Sequence, residues 1–125
     1  MTKNIATVLG VIFLIVGLLG FAVPELMGMH LSPAHNLIHL VSGALALYFG
    51  LKGTPAAARS FCIVFGVFYG LLGVVGFFLP DRMLTLIPNQ LMLGPADHII
   101  HVLLGVVFLA AGLYKRPALA GSPAP

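Results

Sequence analysis

His35 and His39 stand four residues apart, and Asp97 precedes His101 by the same interval. On a helix that spacing stacks each pair on one face, one turn above the other. His98 falls three residues before His101, near the edge of that face, at the position that matches Asn36 in the first half of the chain. Imidazoles and a carboxylate gathered in this way support three kinds of chemistry. In the first they are polar ties: His39 and His101 bond each other or backbone carbonyls, while Asp97 pairs with His35 or caps its helix. In the second His39 and His101 are axial ligands of haem b or of a (bacterio)chlorophyll-like pigment, with Asp97 orienting one imidazole. In the third His35, His39, His98 and His101 form a binding or relay site for a proton, a divalent metal ion or a small lipophilic molecule.

Other chemistry has little to stand on. The chain offers no Ser-His-Asp set, no glycine-rich phosphate loop and no paired carboxylates, so the expectation is a protein that is not an enzyme. Cys62 is the single cysteine, which excludes an internal disulfide and the CxxCH of covalent haem c; it reads as a small buried apolar residue. Met27, Met29 and His30 form a soft-donor group in the first outer loop, without the regular methionine spacing of a copper array.

The elements that must carry these residues are membrane helices. Hydrophobic residues make up 60% of the chain and charged residues 7%, too few to cover a water-soluble domain of this size. Apolar stretches fall at 5–23, 37–51, 61–79 and 99–114. The first and third approach the ~20 residues that cross a bilayer; the other two reach it only if the polar residues before them join the same helix. Segment 5–23 is expected to be retained, because Phe21-Ala22-Val23-Pro24 gives no small-x-small cleavage site.

The halves of the chain match. Gly10-Val11-Ile12-Phe13, Gly17, Gly20 and Pro24 recur 56 residues later as Gly66-Val67-Phe68-Tyr69, Gly73, Gly76 and Pro80. Ala34-His35-Asn36-Leu37-Ile38-His39, Gly43 and Gly50 recur 62 residues later as Ala96-Asp97-His98-Ile99-Ile100-His101, Gly105 and Gly112. The chain thus reads as one transmembrane domain over 1–125: repeat one at 5–51, repeat two at 61–114 and a disordered tail at 117–125. Its fold class is all-α, a four-helix membrane bundle made by duplicating a helix pair.

Proline should end the first helix at Pro24 and the third at Pro80, and Pro33 and Pro95 should open the second and fourth. The longer loop at 81–95 should lie at the interface as a short helix or cap over the histidines. Glycines seven residues apart (Gly10/Gly17, Gly43/Gly50, Gly66/Gly73, Gly105/Gly112) return to nearly one face, and Gly70 adds a GxxxG with Gly66. They mark the packing seam of the bundle, because small residues drive helix association in lipid. His39 and His101, four before Gly43 and Gly105, should face that seam.

Lys3, Lys52, Arg59, Lys115 and Arg116 fall on one side of such a protein, while Glu25, Asp81, Arg82 and Asp97 fall on the other. The positive-inside rule then places both termini in the cytoplasm and the histidines toward the outer face, most simply of a bacterial cytoplasmic membrane.

The glycine-aromatic run at 10–21, the H-N-L-I-H-L-x-x-G run at 35–43, and Asn89 with Ala96-Asp97 and His101 resemble the DUF4383 family of small four-span bacterial membrane proteins. The resemblance covers residues 10–112. It implies a four-helix membrane protein with His39, Asp97 and His101 as its central polar group, and it implies no activity. The chain departs from the family's usual A-D-N by carrying His98 after Asp97. The expectation is therefore a small non-enzymatic membrane protein, an accessory or structural subunit packing in the bilayer with other membrane proteins or with itself and binding no nucleic acid. Cofactor binding through His39 and His101, and proton or divalent-metal binding or transport at the cluster, are the alternatives.

Overall fold

A computed structural model describes residues 2–23, 25, 32–88 and 91–114. Among them are four α-helices: α1 (Thr2–Ala22), α2 (Pro33–Leu51), α3 (Pro55–Phe77) and α4 (Pro95–Leu113). The polar starts His35-Asn36 and Asp97-His98 do belong to α2 and α4, which lengthens both to 19 residues. At 1.5 Å per residue that is about 28 Å, close to the ~30 Å of a hydrocarbon core. All four helices are long and apolar enough to cross a membrane. Val8, Leu18, Leu37, Val41, Val64, Leu71, Leu103 and Val106 are each more than half exposed on their outer faces. Lipid accepts such a surface without penalty and water does not. The chain is an integral membrane protein.

Local sequence sets the helix starts. Ser32 Oγ accepts the His35 N–H at 3.2 Å, Thr54 Oγ1 accepts the Ala57 N–H at 3.1 Å, and a proline follows each cap where no N–H is needed. In α4 the cap is Gly94, which has no side chain to offer. There the Asp97 carboxylate reaches back to the Gly94 N–H at 2.8 Å, one half of a capping box. Helix α1 ends at Ala22, and Pro24 lies outside the described residues. Helix α3 stops at Phe77, three residues before Pro80.

The helices form two close pairs. A Cβ placed on Gly10 would lie 3.0 Å from the Gly43 carbonyl, and one on Gly66 would lie 3.1 Å from the Gly105 carbonyl. Gly17, Gly50, Gly73 and Gly112 meet backbone of the partner helix in the same way. The glycine seams therefore lie inside the α1–α2 and α3–α4 pairs. The pairs meet instead through bulk. Phe13, Phe61, Tyr69 and Phe108 are buried with Ala6, Ala46 and Ala111, and the Phe13 and Phe108 rings stack at 6.2 Å. Thr2 Oγ1 donates to the Ala111 carbonyl at 2.7 Å, so α1 begins beside the end of α4. The polar starts of α2 and α4 are at the opposite end.

The connection from α3 to α4 departs from the all-α reading. A 3-10 turn (Pro80–Arg82) leads into an antiparallel hairpin, β1 (Leu84–Ile87) and β2 (Leu91–Leu93), with an irregularity in register between Thr85 and Ile87. Asp81 and Arg82 sit at φ 55° and 52°, a left-handed pair that prevents helical continuation. The two-residue period of β2 then buries Leu91 and Leu93 together. The segment is a cap, as expected, built from strand and not from helix.

Candidate functional site

His35 and His39 come from the first two turns of α2, and His101 from the second turn of α4. All three are at least nine-tenths buried. One ring nitrogen from each can be chosen so that all three lie within 4.8 Å of one another. The His35 and His39 rings are 4.3 Å apart between centroids, and His35 and His101 are 6.2 Å apart in an edge-on arrangement. Beneath them, Phe13 lies 5.7 Å from the His39 ring and Tyr69 lies 5.5 Å from the His101 ring. Nδ1 of both His39 and His101 is buried and meets no hydrogen-bond partner among the described residues. Burying an unmatched polar atom costs about 1–3 kcal/mol, so the arrangement is not one of optimised polar ties at these two atoms.

A cavity of about 50 Å³ sits against the trio, lined by His35, Ile38, His39, Phe68, Tyr69, Leu72, Leu86, Leu91, Leu93 and His101. The hairpin supplies Leu86, Leu91 and Leu93 and so closes the site from the loop side. Pockets that take drug-sized molecules span roughly 300–1,000 Å³. A porphyrin or chlorin would need far more room than the cavity has, and the three imidazoles converge on one another where axial ligands would straddle a ring plane. The donors fit a single metal ion better than a macrocycle.

Not every residue singled out in the sequence joins this trio. His98 turns toward α3: its ring rests on Gly76, where an added Cβ would collide with Cε1, Nδ1 and Nε2. Its Nε2–H donates to the Arg82 carbonyl at 2.8 Å, pinning the 3-10 turn to the start of α4. Asn36, at the matching position of the first half, occupies the same place over Gly20. Asp97 lies at the first turn of α4 with Oδ2 on the Gly94 N–H, outside the trio of converging donor atoms. Met27, Met29, His30 and Asn89 lie outside the described residues, as do Lys115, Arg116 and the tail.

Two features were missed from the sequence. Gly20 and Gly76 serve as seats for Asn36 and His98, and their recurrence at 56 residues was the available signal. The Ser42 and Tyr69 hydroxyls share a buried hydrogen bond of 2.9 Å between α2 and α3. Nothing in the sequence marks that pair, since Phe13 and Leu104 stand at the corresponding positions. Above it an apolar groove of about 420 Å³ runs between α2 and α3, bounded by Leu37, Val41, Leu45, Val64 and Phe68.

No curated protein matches the chain, and no solved structure does. A family model described as a domain of unknown function, DUF4383, matches residues 3–114. That span takes in all four helices, the hairpin and the histidine trio, and the chain belongs to the DUF4383 family.

Proposed function

We propose that this protein is a small, non-enzymatic membrane protein that binds one transition-metal ion through His35, His39 and His101. The observation that carries the reading is the convergence of three buried imidazoles from two helices, with their donor atoms within 4.8 Å of one another. Neutral imidazole is a common ligand for zinc, copper, iron and nickel, and a three-histidine set is a known way of holding such an ion. Contraction of the donors onto an ion with metal–nitrogen bonds of about 2.0 Å needs ring shifts of about 1 Å. The rim supports binding over catalysis, because apart from the Tyr69 hydroxyl it is built of Ile38, Phe68, Leu72, Leu86, Leu91 and Leu93.

The same reading takes the matching halves as a duplication. It sets both termini in the cytoplasm and the metal site toward the outer face of a bacterial cytoplasmic membrane. The placement of Lys3, Lys52 and Arg59 against Glu25, Asp81 and Asp97 supports that orientation.

The test is metal analysis of the full-length protein purified in mild detergent, beside a His39→Gln/His101→Gln variant checked for folding by gel filtration. About one equivalent of metal per chain is expected in the wild type and none in the variant. Absence of bound metal, with no uptake of Zn²⁺, Co²⁺, Ni²⁺ or Cu⁺ by the wild-type protein, would overturn the proposal. A structural or accessory subunit, packing with other membrane proteins, would then be the better reading.

A further inference from the structure

We infer that the ion held by this site is copper in its monovalent state, Cu(I), an inference that rests on the metal-binding reading above. Two features of the site point the same way. The first is charge. Of the three acids in the chain only Asp97 is buried, while Glu25 and Asp81 are exposed, and the three ligands are neutral imidazoles. Born solvation cost grows as the square of the charge, so a divalent ion costs about four times as much to bury as a monovalent one of equal size. None of the converging donors is a carboxylate, so Cu(I) leaves one uncompensated positive charge in the apolar wall and Zn(II) leaves two.

The second is coordination number. Zinc on three histidines keeps a fourth position for water or substrate. Here that position opens into about 50 Å³ bounded by Leu72, Leu86, Leu91 and Leu93. A water there would find few hydrogen-bond partners, since apart from the histidines the wall offers only the Tyr69 hydroxyl, which also bonds Ser42. A bound water ordinarily makes about three hydrogen bonds. Cu(I), a d¹⁰ ion, accepts three ligands in a plane and needs no fourth.

Donor type does not separate the two ions, since imidazole suits copper and zinc alike. Cys62, the one thiol, is buried in the aromatic core and is not one of the converging donors. The ligand shell is therefore all nitrogen.

The experiment uses the full-length protein in detergent under anaerobic conditions. Cu(I) is titrated against bathocuproine disulfonate, Zn²⁺ is titrated against a colorimetric chelator, and the loaded wild-type protein is examined by X-ray absorption. One Cu(I) per chain is expected, with three nitrogen neighbours and no fourth ligand, and with zinc bound at least roughly 100-fold more weakly. His39→Gln should weaken Cu(I) by at least roughly 100-fold, the upper end of what loss of a ligand's supporting partner alone does. Because the absorption spectrum comes from the wild type, it stands even where a variant fails to fold. Zinc binding more tightly in a four-coordinate shell would overturn the inference and leave the metal site intact. A sulfur-containing shell would place copper on methionines and overturn it as well. If neither ion binds, both this inference and the metal-binding reading fall.

Discussion

Alanine at Gly105 and alanine at Gly70 should behave oppositely, although the two glycines touch. A Cβ on Gly105 would lie 2.6 Å from both the Cα and the N of Gly70 and 2.9 Å from the Gly66 carbonyl. All three atoms are backbone, so no side chain can rotate away. Restoring ordinary contact at 3.5 Å or more requires α4 to part from α3 by about 1 Å. That movement would also loosen the approach of Gly66 to the Leu109 amide and of Gly73 to the Val102 amide, both tighter than ordinary contact. Overpacked interiors lose about 1–3 kcal/mol, and a backbone-on-backbone clash belongs at the upper half of that range. We expect Gly105→Ala to cost about 2–3 kcal/mol, roughly a 30- to 150-fold shift in the folded-to-unfolded ratio. A Cβ on Gly70 meets nothing nearer than the Gly105 Cα at 4.0 Å, because it aims into an open groove bounded by Leu71, Val102 and Val106. Gly70→Ala should lie within about 0.5 kcal/mol of wild type, helped by the higher helix propensity of alanine. Reversible unfolding in mixed micelles with rising SDS measures both. Equal losses for the two variants would refute the reasoning, as would a Gly105→Ala protein as stable as wild type.

Gly76→Ala should displace the His98 ring and break its bond to the Arg82 carbonyl, costing about 1–3 kcal/mol; faster hydrogen exchange across 84–93 than across the mid-helices would show it. Ser42→Ala and Tyr69→Phe should each cost about 1 kcal/mol, and the double variant less than their sum, so a double-mutant cycle with no coupling counts against the buried bond. The purified protein should show no Soret band, either oxidised or dithionite-reduced, because the cavity beside the histidines is too small for a macrocycle. A reporter fused after residue 125 should report the cytoplasm.

Much of this architecture is legible in the sequence because lipid simplifies the problem. Four runs of apolar residues can only be helices when every backbone amide must find its partner within its own segment. Pro33 and Pro95 mark helix starts through their missing N–H, and the structure begins α2 and α4 at them. The stacking of His35 on His39 follows from a four-residue spacing. The partners of a glycine stripe do not follow, because spacing gives a face and not a neighbour; the seams proved to lie inside the helix pairs. Residues 84–93 were ambiguous for another reason. Short apolar runs of four and three residues suit a helix turn or a strand equally well, and the left-handed Asp81 and Arg82 that decide the matter leave no distinct signature. His98 was grouped with the other histidines because periodicity places it near their face. Its ring turns aside because Gly76 leaves a gap that only a flat side chain fills.

Apart from His39 and His101, which recur and converge, the residues that the two halves share serve packing, and several of their differences shape the site. Gly10 and Gly66, Gly43 and Gly105, and Gly20 and Gly76 hold equivalent positions against equivalent neighbours. Departures that bear on the site include His35 against Asp97, Asn36 against His98, Ser42 against Leu104, and Phe13 against Tyr69. His35 brings a second imidazole to α2, and Ser42 with Tyr69 fixes α2 to α3 beneath it. On α4 the exchanged residues do other work: Asp97 caps the helix and His98 holds the turn that launches the hairpin. That hairpin occupies a loop six residues longer than its counterpart in the first half, and its leucines close the cavity. A fully symmetric chain would offer either two like sites or one on the axis between the halves. Among the described residues the imidazoles converge at one place, two from α2 and one from α4, so on the proposed reading the stoichiometry should be one ion per chain. Two equivalents bound with equal affinity would show that the halves act alike and that these differences are incidental to binding.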